Sequence, residues 1–193
     1  MRFVLTILLL VLFGCDQQPL IDDYKIEGIS TGESLLEIMT LNEIELEKSS
    51  SKITYAYKSN NSFFRVVYEK KFFEKYDYLS LFAASNDKKY IIKGIFGTQY
   101  FQNLDACLKT FKKINIEFAD KYKNSTQTSG EKFLGNTSSK FKYNYFDFPS
   151  GQRIGVQCYS FDSGEISLSV SLVPSVELIK WLEDGNRSTS NDT

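Results

Sequence analysis

The stretch NLDACLKTFKKINIEFADKYK, residues 103–123, decides how the rest of the chain can fold. Its apolar side chains recur every three or four residues, which places them on one side of an α-helix, and lysines and acids occupy most of the other side. Such a helix packs on a sheet or, alternatively, lies against a membrane surface or a partner. Because soluble domains commonly carry such helices, the pattern favours the sheet. The residues that form the apolar side are Leu104, Cys107, Leu108, Phe111, Ile114, Phe118 and Tyr122.

About seven short strands are predicted on the two sides of this helix. Apolar and aromatic runs alternate with turn residues, and connections this short favour antiparallel pairing. The predicted strands cover residues 53–58, 63–69, 78–85, 90–99, 140–148, 153–161 and 165–173. The sequence therefore predicts an α+β domain in which one or two antiparallel sheets pack on one long central amphipathic helix.

Short N-terminal helices and a short C-terminal helix are predicted at the two ends of the domain. Leu35, Ile38 and Met39 lie at helical spacing, and Ser30 or Thr31 can cap this first helix. Thr40 with Glu43 forms a capping-box pattern for a short helix that we expect to end at the serines 49–51. A short C-terminal helix is expected to begin at Pro174 and to end near residue 182. Residues 124–139 are rich in Ser, Thr, Asn and Gly and have little periodicity, so they are predicted to form a long loop.

Two cysteines, Cys107 and Cys158, are expected to meet. Cys107 lies on the apolar side of the predicted helix, and Cys158 shares one face of its strand with Ile154 and Val156. Both side chains therefore point into the same apolar layer, which predicts a disulfide; two buried free thiols are the alternative. A metal site is disfavoured because no third ligand of a suitable type accompanies the cysteines.

The composition argues against most kinds of catalysis. The chain has no histidine, which removes the usual triads, zinc motifs and proton shuttles. It has no phosphate-binding, dinucleotide-binding or calcium-binding motif. Asp77, Asp147 and Asp162 lie near strand ends and leave a carboxylate-based hydrolase open as an alternative. We predict no catalytic residue, metal or cofactor, and the chain is expected not to be an enzyme.

The net charge and the aromatic residues indicate which classes of ligand to expect. The chain has 23 basic and 24 acidic residues, a balance that gives no indication of nucleic-acid binding. Its 12 tyrosines and 16 phenylalanines include several at alternating strand positions. Such residues are more often core than binding surface, and the neighbourhoods of Tyr76 with Tyr78 and of Tyr143 with Tyr145 are the least settled.

The N-terminus has the layout of a secretory signal. One positive charge at Arg2 precedes an apolar run that ends at Gly14. The run is shorter than the ~20 residues that a membrane-spanning helix needs. Residues 1–14 are therefore predicted to form a signal peptide.

The four residues 12–15, Leu-Phe-Gly-Cys, resemble the bacterial lipobox, although Phe13 stands where a small residue is commoner. The resemblance implies cleavage before Cys15, a diacylglyceryl group on its sulfur and acylation of the new amino group, with palmitate as a typical chain. A plain secretory signal cut near Gly14 is the alternative. Asp16 resembles the inner-membrane retention signal of enterobacterial lipoproteins. The protein is thus expected at the cell envelope, on the periplasmic face of the inner membrane.

The predicted organisation is a signal peptide over 1–14, a lipidated tether over 15–23, one α+β domain over 24–184 and a disordered tail over 185–193. A tethered domain without catalytic motifs is expected to be a non-catalytic binding or envelope-assembly module, with an envelope protein as a candidate partner and no nucleic acid. A carboxylate-based hydrolase of envelope glycans and a small-ligand carrier are the alternatives.

Replacing Cys15 by alanine should abolish acylation, because the replacement removes the sulfur that the lipobox presents. We expect the full-length chain in a Gram-negative host to incorporate a palmitate analogue and to sediment with membranes, and Cys15→Ala to do neither. The control Asp16→Ser should keep the label and change only the membrane in which the protein is found. A cleaved but unlabelled wild-type chain would establish the plain secretory signal instead.

Overall fold

A computed structural model describes residues 24–54, 62–69, 73–135 and 137–188. The predicted signal peptide, Cys15, Asp16 and the last five residues of the tail lie outside these ranges. The side chains of 50–54 and of 185–188 are also outside what is described.

The described strands form one antiparallel sheet of seven strands, and the fold is α+β as predicted. The spatial order of the strands is β1-β2-β3-β7-β6-β5-β4. The strands are β1 Phe63–Tyr68, β2 Tyr78–Ala84, β3 Ile92–Phe101, β4 Thr126–Phe133, β5 Lys140–Asp147, β6 Arg153–Ser160 and β7 Ile166–Val173. The helices are α1 Leu41–Thr54, α2 Leu104–Lys121 and α3 Val176–Ser188, preceded by a 3-10 turn at Leu35–Glu37.

Two antiparallel meanders make up this sheet. The first contains β1 to β3, and the second contains β4 to β7. α2 carries the chain from β3 to the far edge of the sheet, and the second meander then returns until β7 pairs with β3. Every strand therefore shares the same two faces.

α2 lies on one face of the sheet and confirms the amphipathic pattern. Asn103 caps its N-terminus by accepting a hydrogen bond from the Ala106 amide at 2.9 Å. The helix buries Cys107, Phe111 and Phe118 and packs on β3, β6 and β7. The expectation of a long central helix is not confirmed. α2 is the longest described helix but has 18 residues, and the strands form one sheet beside it instead of flanking it.

Three boundary predictions were wrong. The C-terminal helix, which was expected to end near residue 182, continues to Ser188. The serines 49–51 do not end the first helix, which continues to Thr54, so residues 53–54 are helical; residues 55–58 lie outside the described ranges. Serine is only mildly unfavourable within a helix, so local composition overestimated the break. The capping box that begins this helix is confirmed, since the Glu43 carboxylate accepts a bond from the Thr40 amide at 2.7 Å and the Glu43 amide donates to the Thr40 hydroxyl at 3.3 Å.

The predicted loop over 124–139 contains strand β4, which no apolar pattern had indicated. Nearly all of its residues are exposed on both faces of the sheet. A strand at the edge of a sheet is held by backbone pairing, here over eight residue pairs with β5, and does not need a buried face. The alternation that identifies buried strands is therefore absent from it.

The main core fills the space between the sheet and the elements on the α2 side. Leu81, Ile95, Val156 and Val170 are fully buried there. α1 covers this side at β1, and the Glu47 carboxylate accepts a hydrogen bond from the Val67 amide of that edge strand at 3.3 Å.

α3 covers part of the other face with a separate cluster. Leu178 and Trp181 pack against Phe82 and Val173. Gly94 makes this approach feasible, since a Cβ at that position would stand 2.6 Å from the Leu178 side chain. The helix therefore shields one end of the second face and leaves the rest of that face to other contacts.

The Cys107–Cys158 disulfide is present and joins α2 to β6. The two Cα atoms are 6.1 Å apart, and 51 positions separate the residues in sequence. Both half-cystines are buried in the apolar layer where the side-chain pattern had placed them. The bond fixes the helix to the centre of the second meander.

Reducing this disulfide should lower the free energy of unfolding by about 4 kcal/mol, because loop closure over 51 residues restricts the unfolded chain. The measurement is urea unfolding of the Cys15→Ala chain with and without reductant. The matched control carries Cys107→Ala and Cys158→Ala in addition and should not respond to reductant. Equal stability of the oxidised and reduced Cys15→Ala chains would contradict the prediction.

Candidate functional site

The face of the sheet opposite α2, beyond the part covered by α3, is the candidate site; we call it the open face. Alternation along β7 sends Leu168, Val170 and Leu172 into the core and sends serines to the open face. The neighbouring strands β2 and β3 add the hydroxyl side chains of Ser80 and Thr98 on the same face. The resulting hydroxyl floor consists of Ser80, Thr98, Ser167, Ser169 and Ser171.

The floor is sheltered by larger neighbours. Ser169 lies between Thr98 of β3 and Gln157 of β6, and Ser167 lies between Tyr100 and Tyr159. The five hydroxyl residues are only 3–7% exposed. None of the five hydroxyl oxygens is a fully buried atom without a hydrogen-bond partner within the described ranges. A hydroxyl that keeps some contact with solvent can use water as its hydrogen-bond partner.

Gln157 adds an unpartnered acceptor to the floor. Its side chain is 7% exposed, and its Nε2 donates to the Tyr145 hydroxyl at 2.9 Å. Its Oε1 atom is buried and has no hydrogen-bond partner within the described ranges. Leaving a buried acceptor unsatisfied costs about 1–3 kcal/mol. A donor from outside the described chain would recover that cost.

Tyr145 faces the same region with a neutral phenol. Burial raises its pKa above the ordinary value, and the bond from Gln157 and the charge of Arg153 offset only part of this rise. Since its oxygen already accepts from Gln157, its own O–H remains to be donated. Gly155 makes room for this arrangement, because a Cβ there would stand 2.5 Å from the Ser171 hydroxyl and 3.2 Å from the Tyr145 ring.

Aromatic residues stand on both sides of the floor. On one side, five rings contact each other in sequence with centroids 4.8–5.8 Å apart; this aromatic row is Tyr145, Tyr143, Phe141, Tyr159 and Phe161. On the other side the rings of Tyr78 and Tyr100 are 6.0 Å apart and tilted by 46°. Burial, followed by the charge and hydrogen bond of Tyr78, raises the pKa of Tyr100 to about 12, so its phenol is neutral at ordinary pH.

An ion-pair cluster closes the end of the open face next to α3. Arg153 Nε donates to Asp147 at 2.6 Å, and its Nη1 donates to Glu183 of α3 at 2.7 Å. The guanidinium also lies 4.7 Å from the centroid of the Tyr145 ring. The cluster therefore ties α3 to β5 and β6 and fixes one wall of the site.

The three aspartates considered for hydrolysis lie in separate places. Asp77 accepts a bond from the Tyr100 amide at 2.7 Å, and Asp162 accepts from the Ser138 amide at 3.2 Å. Asp147 pairs with Arg153 at the opposite end of β5 from Asp162. No two of them meet, and the parts of the chain with described coordinates contain no cluster of three metal-ligating side chains.

Within those same parts, no helix is long and apolar enough to cross a membrane.

The sequence left open on which side of the sheet the tyrosines of the pairs Tyr76 with Tyr78 and Tyr143 with Tyr145 lie. Tyr143, Tyr145 and Tyr78 stand on the open face, whereas Tyr76 packs on the core side at Gly97.

Sequence reasoning missed the serines of the floor. The signal for them was the alternation of serine with aliphatic residues over 167–172, which marks a strand with one apolar and one small polar face.

Comparison with known proteins places no further constraint on the site. The chain matches no protein-family model, and neither the curated proteins nor the solved structures contain a significant match.

Replacing Arg153 by methionine should lower the free energy of unfolding by about 1–2 kcal/mol, because two charge-assisted hydrogen bonds in a partly exposed setting are lost. Lysine at this position should restore only part of the loss, since an ammonium cannot form the same fork. Urea unfolding measures both variants. Lys180→Met, which removes a charge from the exposed side of α3, is the control, and an equal effect in it would contradict the role given to Arg153.

Proposed function

We propose that this protein is a non-catalytic binding module that is tethered to the bacterial cell envelope and receives its ligand on the open face. The observation that carries the proposal is the sheltered hydroxyl floor together with the unpartnered, buried Oε1 atom of Gln157. A face that only separated the sheet from solvent would not need such groups beneath flanking aromatic rings.

The architecture supports binding on a preformed surface. The floor side chains come from strands that are paired on both sides, so their positions are fixed by backbone hydrogen bonds. Arg153 and the disulfide hold α3 and α2 to the same sheet. A binding site that is rigid before the ligand arrives loses less conformational entropy on binding.

The proposed tether sets where this face operates. If Cys15 carries the lipid, residues 15–23 reach at most about 30 Å from the membrane when extended. Two or three acyl chains hold a protein firmly, whereas one chain holds it only marginally. The domain then stays close to the periplasmic surface, on the inner membrane if Asp16 acts as in enterobacterial lipoproteins. A ligand of the periplasm or of a neighbouring envelope component is within its reach.

The alternatives have different support. A small-ligand carrier would use the same open face and is therefore a form of the same proposal. A carboxylate-based hydrolase needs two carboxyl groups about 5–10 Å apart on either side of the substrate. The pair formed by Asp147 and Glu183 is occupied by the Arg153 guanidinium, so no observation favours the hydrolase.

A photo-crosslinking amino acid at Tyr143 should trap the ligand of the open face in cells. The full-length chain is produced in a Gram-negative host with the crosslinker at position 143 or, as the control, at Ile116 on the outer side of α2. We expect an adduct from position 143 that Ser169→Tyr abolishes by filling the floor. The matched substitution Ser129→Tyr on the exposed edge strand should leave it unchanged.

Equal adducts from positions 143 and 116 would contradict the proposal, and so would an adduct from position 143 that survives Ser169→Tyr. Circular dichroism of Ser169→Tyr establishes that its loss of adduct does not reflect unfolding.

A further inference from the structure

We propose that the outer side of β4 binds an acidic, extended segment of another protein, which adds to the seven-stranded sheet as a further strand. We call this side of β4, over residues 126–133, the β4 edge. The inference goes beyond the proposed function, because it concerns a protein partner at the edge of the sheet and does not use the hydroxyl floor.

The first step is the backbone of the β4 edge. β4 pairs with β5 over eight residue pairs on its inner side and stands last in the strand order, with no described strand on its outer side. In an antiparallel strand, alternate residues direct their N–H and C=O groups to the same side, so half of the backbone groups of β4 point outward. The edge therefore offers about 27 Å of backbone to an extended chain that pairs with it.

The second step is the charge of the hairpin that β4 forms with β5. The whole chain has nearly equal numbers of basic and acidic residues, but residues 123–146 contain four lysines and one acid. That acid, Glu131, is bound to Lys140 at 2.9 Å, and Asp147, the next acid along the chain, is bound to Arg153. An acidic segment is attracted by the surplus of lysines, whereas a second copy of the hairpin is repelled. The lysines are Lys123, Lys132, Lys140 and Lys142.

The third step is the side of the sheet on which the partner carries its acids. Lys132 stands on the open face, with its Nζ atom 5.1 Å from the centroid of the Tyr143 ring. Side chains alternate along β4, so Glu131 stands on the α2 side. An acid directly opposite Glu131 would be repelled, and an acid opposite Lys132 would be attracted. The partner's acids therefore belong on the open-face side.

Tyr143 adds a hydroxyl to the same side of the edge. A Cβ at Gly130 would stand 2.8 Å from the Tyr143 hydroxyl oxygen, so the phenol reaches over β4 and uses the space that the glycine leaves. A carboxylate on the added strand next to Gly130 would accept a hydrogen bond from Tyr143 and pair with the Lys132 ammonium. Two such groups at one position select an acid over an uncharged side chain.

The α2 side of the edge selects an apolar side chain. Phe133 alternates with Lys132, so it shares the side of Glu131, and it is 66% exposed. Aromatic and β-branched residues form stabilising cross-strand pairs, so a valine or isoleucine opposite Phe133 would cover part of its ring. The partner is therefore a segment with acids on one side and β-branched or aromatic residues on the other.

Fluorescence anisotropy with a labelled peptide tests the inference. In the peptide, glutamate alternates with valine over the length of β4, and both ends are capped. The peptide is kept dilute while the full chain, in a zwitterionic detergent, is titrated into it. We expect a Kd of about 10–100 μM. A peptide with lysine in place of glutamate should bind at least about tenfold more weakly, because the edge repels its charge.

Two further peptides and variants separate the backbone from the side chains. The glutamate peptide with a methyl group on every backbone nitrogen should not bind, because it cannot donate to the β4 edge. Lys132→Glu should weaken binding of the glutamate peptide at least about tenfold and strengthen binding of the lysine peptide, a gain that unfolding cannot produce. The matched control Lys109→Glu makes the same change on the exposed side of α2 and should leave both affinities unchanged.

Amide hydrogen exchange identifies where the glutamate peptide binds, and we expect slower exchange within residues 126–133 when it is added. The inference is overturned by no binding of the glutamate peptide, by equal binding of the lysine or methylated peptide, or by unchanged affinities in Lys132→Glu. Slower exchange only outside β4 would overturn it as well. Without peptide, exchange in β4 that slows as the concentration of the chain rises would identify a second copy as the occupant and reject the acidic partner.

Discussion

The pairing of β3 with β7 is the interaction on which the rest of the structure depends. It joins a three-stranded meander to a four-stranded meander that begins at the opposite edge of the sheet. Seven residue pairs, from Ile95 with Leu172 to Phe101 with Ile166, align the two halves in register. Because side chains alternate along paired strands, this one alignment continues both the core and the hydroxyl floor across the seam. α2 packs over the same seam, and its disulfide to Cys158 connects it to the second meander.

Sequence patterns predicted the buried elements well because burial leaves a periodic trace. The amphipathic stripe of α2, six of the seven strands and the meeting of Cys107 with Cys158 all follow from side chains that must avoid water. The capping box at Thr40 was equally readable, since its two residues bond to each other within one turn. These features are local or are set by one apolar layer.

The predictions failed where no burial is involved. β4 has exposed residues on both faces, so nothing in TQTSGEKF distinguishes it from a loop. The union of the two meanders into one sheet is a long-range pairing that no short window contains. The floor was missed for a related reason. The serines of β7 form a polar surface only together with residues of other strands. Thr98 and Gln157 lie beside Ser169 because of the register of β3 and β6 with β7, which no local pattern in the sequence specifies. Alternation predicted which side chains share a face, but not what stands next to them.

The two edges of the sheet differ in a way that matters for a protein held on a surface. At β1, α1 lies alongside and Glu47 occupies the Val67 amide. At β4 the outward backbone groups have no described element beside them, and the charged residues Glu131 and Lys132 stand only near its C-terminal end. Charged side chains are a common guard against strand addition, so residues 126–130 form the less protected part. Anchoring in two dimensions raises the local density of identical copies far above that of a freely diffusing protein. If Cys15 is acylated as proposed, crowding on the membrane would bring residues 126–130 of one copy repeatedly against those of the next, and the charged side chains of Glu131 and Lys132 would oppose strand pairing between the copies.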